Sequence, residues 1–225
     1  MKSESTSAIV LRRTDYGEAD RIVVLSTPLG KRTVLARGVR KPRSKLAGGI
    51  ELLCQSEVVL RHGKGQIATL TQARMQQFFR SIMADYDRLQ FMYDVLRLVS
   101  RAIESVDEPE WHEVLLEVLQ GLNDETVRLA LVKTWFYVRY AALLGEELSL
   151  WRDVDGQKII ETQGYRYDIE QKGLRASRQG EINASHIKIL RVLSQKSLRV
   201  AKQVGGVQEY LAVCSNIAYR HASVD

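Results

Sequence analysis

Residues 30–46 read GKRTVLARGVRKPRSKL. Thr33 to Gly38 has the composition of a short strand, and the segment that leaves it is a run of positive charge. Between Asp20 and Glu51 there is no acidic residue, whereas Arg21, Lys31, Arg32, Arg37, Arg40, Lys41, Arg43 and Lys45 supply eight positive charges. A run of this kind repels itself unless counterions or a polyanion neutralise it. A solvated basic loop is the ordinary reading, but charges displayed by a strand-built scaffold favour a binding surface. Pro42 stiffens the exit from the strand, and Gly38, Gly48 and Gly49 permit tight bends, so the charges are expected to form a rim.

Outward from this stretch, the segments Ala8 to Arg13, Arg21 to Ser26, Ile50 to Arg61 and Gln66 to Gln72 are also rich in Val, Ile, Leu and Thr. Turn signals separate them at Tyr16-Gly17, Pro28-Leu29-Gly30, Lys41-Pro42, Gly48-Gly49 and Gly63-Lys64-Gly65. Five short strands in so few residues predict a small closed barrel over residues 1–77, of the OB-fold or the SH3-like kind. Tyr16 is the sole aromatic residue in that span. Stacking on aromatic faces is worth roughly 1–3 kcal/mol per base, so a barrel with one such face must bind mainly through phosphates. It should then accept single and double strands and read little sequence.

From about Met75 the period of the apolar residues changes from two to 3.6, which predicts a mainly helical domain over 78–225. Leu89, Met92, Leu96, Val99 and Ile103 share one helical face. Asp107 is a candidate cap for a second helix containing Trp111, Val114, Leu115 and Val118, and Asp124 for a third that stops at Gly145. The third is apolar on most sides and should be the centre of a bundle. A small β-rich module is expected at 151–177, with a hairpin turn at Asp155-Gly156, before helices near 185–194 and 207–221. The fold class is therefore α+β with two domains, a five-stranded barrel followed by a helical bundle that carries a small hairpin insertion.

The charge is uneven. Residues 1–80 hold 15 Lys and Arg against 6 Asp and Glu, whereas the remainder holds 18 against 21, so the positive balance belongs to the first third of the chain. That asymmetry points to a nucleic-acid-binding module joined to a body with another task. No apolar run approaches the length of a membrane span, and the first 15 residues lack the apolar core of a signal peptide, so a cytoplasmic location is expected. Cys54 and Cys214 have no CxxC or His-spaced companion, and both should be reduced and packed. His62, His112, His186 and His221 are scattered, no Walker loop appears, and no cofactor or catalytic residue is signalled. Asp15, Glu18 and Asp20 form the best acidic cluster; a nuclease-like metal site is one reading, and a turn whose carboxylates pair with Arg12, Arg13 and Arg21 is the favoured one.

As a set, Ala8 to Arg13, Asp15 to Val23, Gly30-Lys31, Leu35 to Gly38, Arg40 to Lys45 and Leu70 to Ala73 resemble the start of bacterial RecO, the recombination mediator of DNA repair. Leu143-Leu144-Gly145, closing a long helix, is compatible with the rest of that family. The resemblance implies an N-terminal OB-fold, a helical domain and a module that in many members binds zinc through four cysteines. With no cysteine between Cys54 and Cys214, no structural zinc is expected, and Trp151, Ile159, Ile160, Tyr165, Tyr167 and Ile169 should hold the module by packing.

The function implied is annealing of complementary strands and help in loading the RecA recombinase onto single-stranded DNA covered by single-strand-binding protein, together with RecR and near the nucleoid, without catalysis. DNA would meet Arg21, Lys31, Arg32, Arg37, Arg40, Lys41, Arg43, Lys45 and Tyr16. The acidic, apolar-ended tail of single-strand-binding protein would meet basic residues of the helical domain, with Arg128, Lys133 and Arg139 as candidates. An RNA-binding or ribosome-associated barrel, a DNA-bound transcription adaptor and a metal-dependent nuclease are the alternatives.

Overall fold

The computed structural model describes residues 3–63, 65 and 67–222. Two compact units are present, Met1–Asn123 and Asp124–Asp225. In the first, five strands, β1 (Ser3–Tyr16), β2 (Asp20–Thr27), β3 (Gly30–Ala36), β4 (Cys54–Arg61) and β5 (Ala68–Phe78), close into a barrel in the order β1-β2-β3-β5-β4. All neighbours are antiparallel except β3 and β5, which meet in parallel at Val34 with Ala68 and Leu35 with Thr69. This closure makes the barrel OB-like. The expected Gly63-Lys64-Gly65 turn includes Lys64, and the expected last strand begins at Gln66; both residues lie outside the described ones.

The barrel interior is filled by alternate residues of each strand, among them Val10, Val23, Leu25, Val34, Val58 and Leu60. A bulge shifts the β1 register between Val10 and Arg12, and Ala8 to Leu11 are all buried, on both faces of the strand. A short 3₁₀ turn, Ala47–Ile50, falls at the expected Gly48-Gly49 turn and inserts Ile50 into the core, so the fourth strand, expected from Ile50, begins at Cys54. Its close approach requires Gly49, where an added Cβ would stand 2.5 Å from the backbone of Ala73. β5 runs on to Phe78, beyond the expected change of period at Met75, because it stays paired with β4 down to Cys54.

Two helices complete this unit. α1 (Tyr86–Ala102) buries Met92, Leu96 and Val99 and is capped by Asp85, whose side chain accepts from the Arg88 amide. α2 (Glu110–Asn123) buries Trp111, Val114, Leu115 and Val118, and both helices pack on β1. Asp107 does not cap α2; its carboxylate accepts instead from the Lys31 amide on the barrel, at 2.6 Å. A partly buried polar chain joins α2 to the strands. Gln55 Nε2 donates to Ser7 Oγ at 3.0 Å, the Ser7 hydroxyl meets His112 Nε2 at 3.3 Å, and His112 Nδ1 donates to the Ser26 carbonyl at 3.0 Å.

In the second unit, α3 (Leu129–Leu143) is buried on most of its circumference and packs on α4 (Ala184–Gln195) and α6 (Val207–His221). Asp124 forms a turn with Thr126 ahead of α3 rather than capping it, and Arg128 occupies the cap position. Gly145, with a left-handed φ of 80°, ends the helix as expected. The paired strands of the module are β6 (Tyr165–Asp168) and β7 (Gly173–Ala176). The Asp155-Gly156 turn is made, but only a single bridge, Arg152 to Lys158, flanks it.

The module's packing departs from expectation. Tyr165 and Ile159 are buried along with Leu174 and Ile182, whereas Trp151, Ile160 and Ile169 are exposed. Polar contacts supply the remainder: Arg175 bridges Asp155 and Asp168, and the Arg191 guanidinium lies 3.8 Å from the centre of the Trp151 ring. A short α5 (Leu198–Ala201) was not signalled by the sequence pattern. Among the described residues no helix is long and apolar enough to cross a membrane.

Candidate nucleic-acid interface

The basic run is an ordered loop. Beyond β3 the chain folds through successive turns: Lys41 N donates to Gly38 O at 3.1 Å, Ser44 N to Lys41 O at 3.0 Å, and Gly49 N to Leu46 O at 3.1 Å. Gly38, with a φ of 63°, makes the first bend, and its amide donates to the Asp20 carboxylate at 2.6 Å. Arg40 N donates to Ala19 O at 2.9 Å, which seats the loop on the β1–β2 turn. Glu18, Ala19, Asp20, Arg37, Gly38 and Lys41 line an open depression between these two segments.

The eight cations fall into two groups. Arg21 Nε is held by Asp15 at 2.8 Å, and Arg40 Nε approaches the same carboxylate at 3.5 Å. Lys31 Nζ is bound by Glu104 at 2.6 Å, and Arg32 Nε by Glu4 at 3.1 Å. Arg37, Lys41, Arg43 and Lys45 are exposed, and no ion pair engages them among the described residues. The electrostatics follow the pairing. A hydrogen bond from Arg21, reinforced by the charge of Arg40, holds the Asp15 carboxyl below its ordinary range. A hydrogen bond from Lys31 does the same for Glu104, with Arg12 adding to it.

Tyr16 is 55% exposed at the end of β1 and is available for stacking. Of the expected partners of the acidic turn, Arg21 pairs with Asp15, whereas Arg13 binds Glu51 and Arg12 lies 3.9 Å from Glu104. Asp15, Glu18 and Asp20 do not converge: among the described residues no group of three or more His, Cys, Asp or Glu is placed to hold a metal ion. The contacts of Glu104 and Asp107 with Lys31 had no signal in the sequence, because the partners lie 73 and 76 positions apart.

In the second unit, Arg128 is exposed at the N-terminus of α3. Arg139, three turns on, points inward. Its Nη1 donates to the Ser194 carbonyl at 2.6 Å, and its guanidinium lies 6.0 Å from the centre of the Trp135 ring. Lys133 is half-buried, about 140° round the helix from Arg128 at 100° per residue. The three candidates therefore do not form one face.

Residues 1–79 match the family described as Recombination protein O N terminal, and residues 83–218 match Recombination protein O C terminal. The chain belongs to the RecO family. A DNA repair protein RecO of Dehalococcoides mccartyi is 31% identical over 229 residues, covering 95% of this chain and 89% of that protein. Its counterpart from Heliobacterium modesticaldum is 33% identical over 219 residues, or 88% and 76% of the two chains. A RecO of Roseiflexus sp. reaches 39% identity over 119 residues, 52% of this chain and 42% of that relative. Membership places this RecO-family chain among the proteins of DNA repair and recombination.

Proposed function

We propose that this chain binds single- and double-stranded DNA through the loop at 37–45, anneals complementary strands, and helps RecA replace single-strand-binding protein on single-stranded DNA, acting with RecR. The observation that carries this reading is the group of four exposed cations, Arg37, Lys41, Arg43 and Lys45, with no ion-pairing carboxylate among the described residues, on a hydrogen-bonded loop of the barrel. Annealing requires two polyanions to be brought together while their bases stay free to pair. Cations beside a single exposed aromatic, Tyr16, meet that need, since they hold phosphates without clamping bases. Arg21, Lys31, Arg32 and Arg40 are the inner members of the same surface, and their carboxylate partners must yield before they can touch a phosphate.

For the acidic tail of single-strand-binding protein, Arg128 is the accessible candidate at the N-terminus of α3, while Lys133 lies on another side of that helix and Arg139 acts within the fold. No hydrolytic step is needed for any of these tasks. The test is annealing of complementary oligonucleotides coated with the cognate single-strand-binding protein, with matched RNA strands as a second arm. Faster annealing of coated DNA is the expected result. A folded protein that leaves the annealing rate unchanged, or that prefers RNA, would overturn the proposal.

A further inference from the structure

The β1–β2 turn presents carboxylates to the same cations that a nucleic acid would need. Asp15 lies within 2.8 Å of Arg21 and 3.5 Å of Arg40. Glu18 is exposed, has no ion pair among the described residues, and shares the open depression with the unengaged Arg37 and Lys41. Asp20 has a different task, since its carboxylate receives the Gly38 amide and shapes the loop. Two of the three acidic residues of this turn therefore act on the charge of the basic surface and one on its geometry.

We infer that the turn at 15–20 is a built-in competitor for phosphate: Asp15 withholds Arg21 and Arg40, and Glu18 repels a strand lying on Arg37 and Lys41. The inference rests on the phosphate-binding reading of the loop. Carboxylate and phosphate offer guanidinium the same planar pair of acceptors, so an intramolecular carboxylate stands where a phosphate oxygen would sit. The pairs are exposed at the surface, where such contacts are weak and screened by salt. A phosphate chain can displace them, but each displacement costs affinity. The consequence is a surface that holds DNA loosely enough to release an annealed product.

Asp15→Asn and Glu18→Gln test this in the full chain, with affinity for a fluorescently labelled single-stranded oligonucleotide read by anisotropy from 50 to 200 mM salt. Each variant should bind about two- to fivefold more tightly than the unaltered protein at the lowest salt, the range of one exposed ion pair. In Asp15→Asn the plot of log affinity against log salt should also steepen by roughly 0.7–0.9 for each arginine recruited to a phosphate. Tightening in one variant alone assigns the competition to that carboxylate. Affinities at or below that of the unaltered protein in both variants, with native circular dichroism, overturn the inference. Arg37→Glu separates the two levels: if it weakens binding while the acidic variants change nothing, only the competitor idea fails, and if it has no effect the phosphate reading fails with it.

Discussion

The division of the basic residues into engaged and unengaged groups makes a quantitative demand on salt dependence. Each neutralised phosphate contributes about 0.7 to the slope of log affinity against log salt for single strands and about 0.9 for duplex. If Arg37, Lys41, Arg43 and Lys45 each engage one phosphate, the slope should be about −2.8 to −3.6, and raising salt from about 50 to 200 mM should weaken binding roughly 50- to 150-fold. Arg37→Gln should remove one such increment, about tenfold in affinity at about 50 mM salt when extrapolated from 1 M. Lys31→Gln should leave the slope unchanged, because Glu104 already neutralises that ammonium at 2.6 Å. The assay is fluorescence anisotropy of a labelled oligonucleotide titrated at four or more salt concentrations. Equal losses of slope in Arg37→Gln and Lys31→Gln would refute the argument, as would a slope retained when all four loop residues are changed to Gln.

Acid should destabilise the fold before its carboxylates titrate. Burial lowers the pKa of His112, His186 and His221, and each uses one ring nitrogen as an acceptor, from Ser7 Oγ, the Asn183 amide and the Tyr167 hydroxyl respectively. The folded state thus prefers neutral rings, and their contribution is complete above the unfolded pKa near 6.5 and is lost as pH falls through the lower folded values. The thermal midpoint should fall between about pH 7 and 5, whereas the carboxylates of Asp15, Asp124 and Asp168, whose pKa values are lowered, begin to matter only below about pH 4; a midpoint flat from pH 7 to 5 would contradict this. Gly49→Ala should cost about 1–3 kcal/mol in urea unfolding because its Cβ meets the Ala73 backbone, while Gly48→Ala, with nothing within 4 Å, serves as the unclashed control. Elemental analysis should find no stoichiometric zinc, and a chelator should leave the melting temperature unchanged, since Arg175 with Asp155 and Asp168 ties the module where cysteines are missing.

Much of the architecture was legible in the chain because the forces that define it are local. Alternating Val, Ile and Leu separated by Gly and Pro signalled the barrel strands, and the 3.6-residue period at Met92, Leu96, Val99 and Ile103 signalled α1. Helix α6 and the stop at Gly145 could be placed for the same reason. The basic run was equally plain, since charge density needs no partner to be seen. Capping was less legible. Asp107 and Asp124 both looked like caps, yet one serves the Lys31 amide and the other a turn with Thr126, because an Asp carboxylate accepts from whichever amide the tertiary fold brings nearest.

The run at 30–46 by itself determined that this protein carries a concentration of positive charge next to a strand, and with Tyr16 as the sole aromatic of residues 1–77 it set the expectation that any nucleic acid there is held through phosphates. Only the tertiary structure decided which of those charges are available. Closing the barrel through β3 and β5 and packing α1 and α2 on β1 bring Glu104 and Asp107 to Lys31 and Glu4 to Arg32, while the β1–β2 turn brings Asp15 to Arg21 and Arg40. The contacts of Lys31 and Arg32 follow from long-range contact between segments that no pattern in neighbouring residues encodes, whereas the Asp15–Arg21 pair, across the β1–β2 turn, was expected from the sequence. Arg37, Lys41, Arg43 and Lys45 stay exposed, with no ion pair among the described residues, on a loop that bends at Gly38 and Pro42.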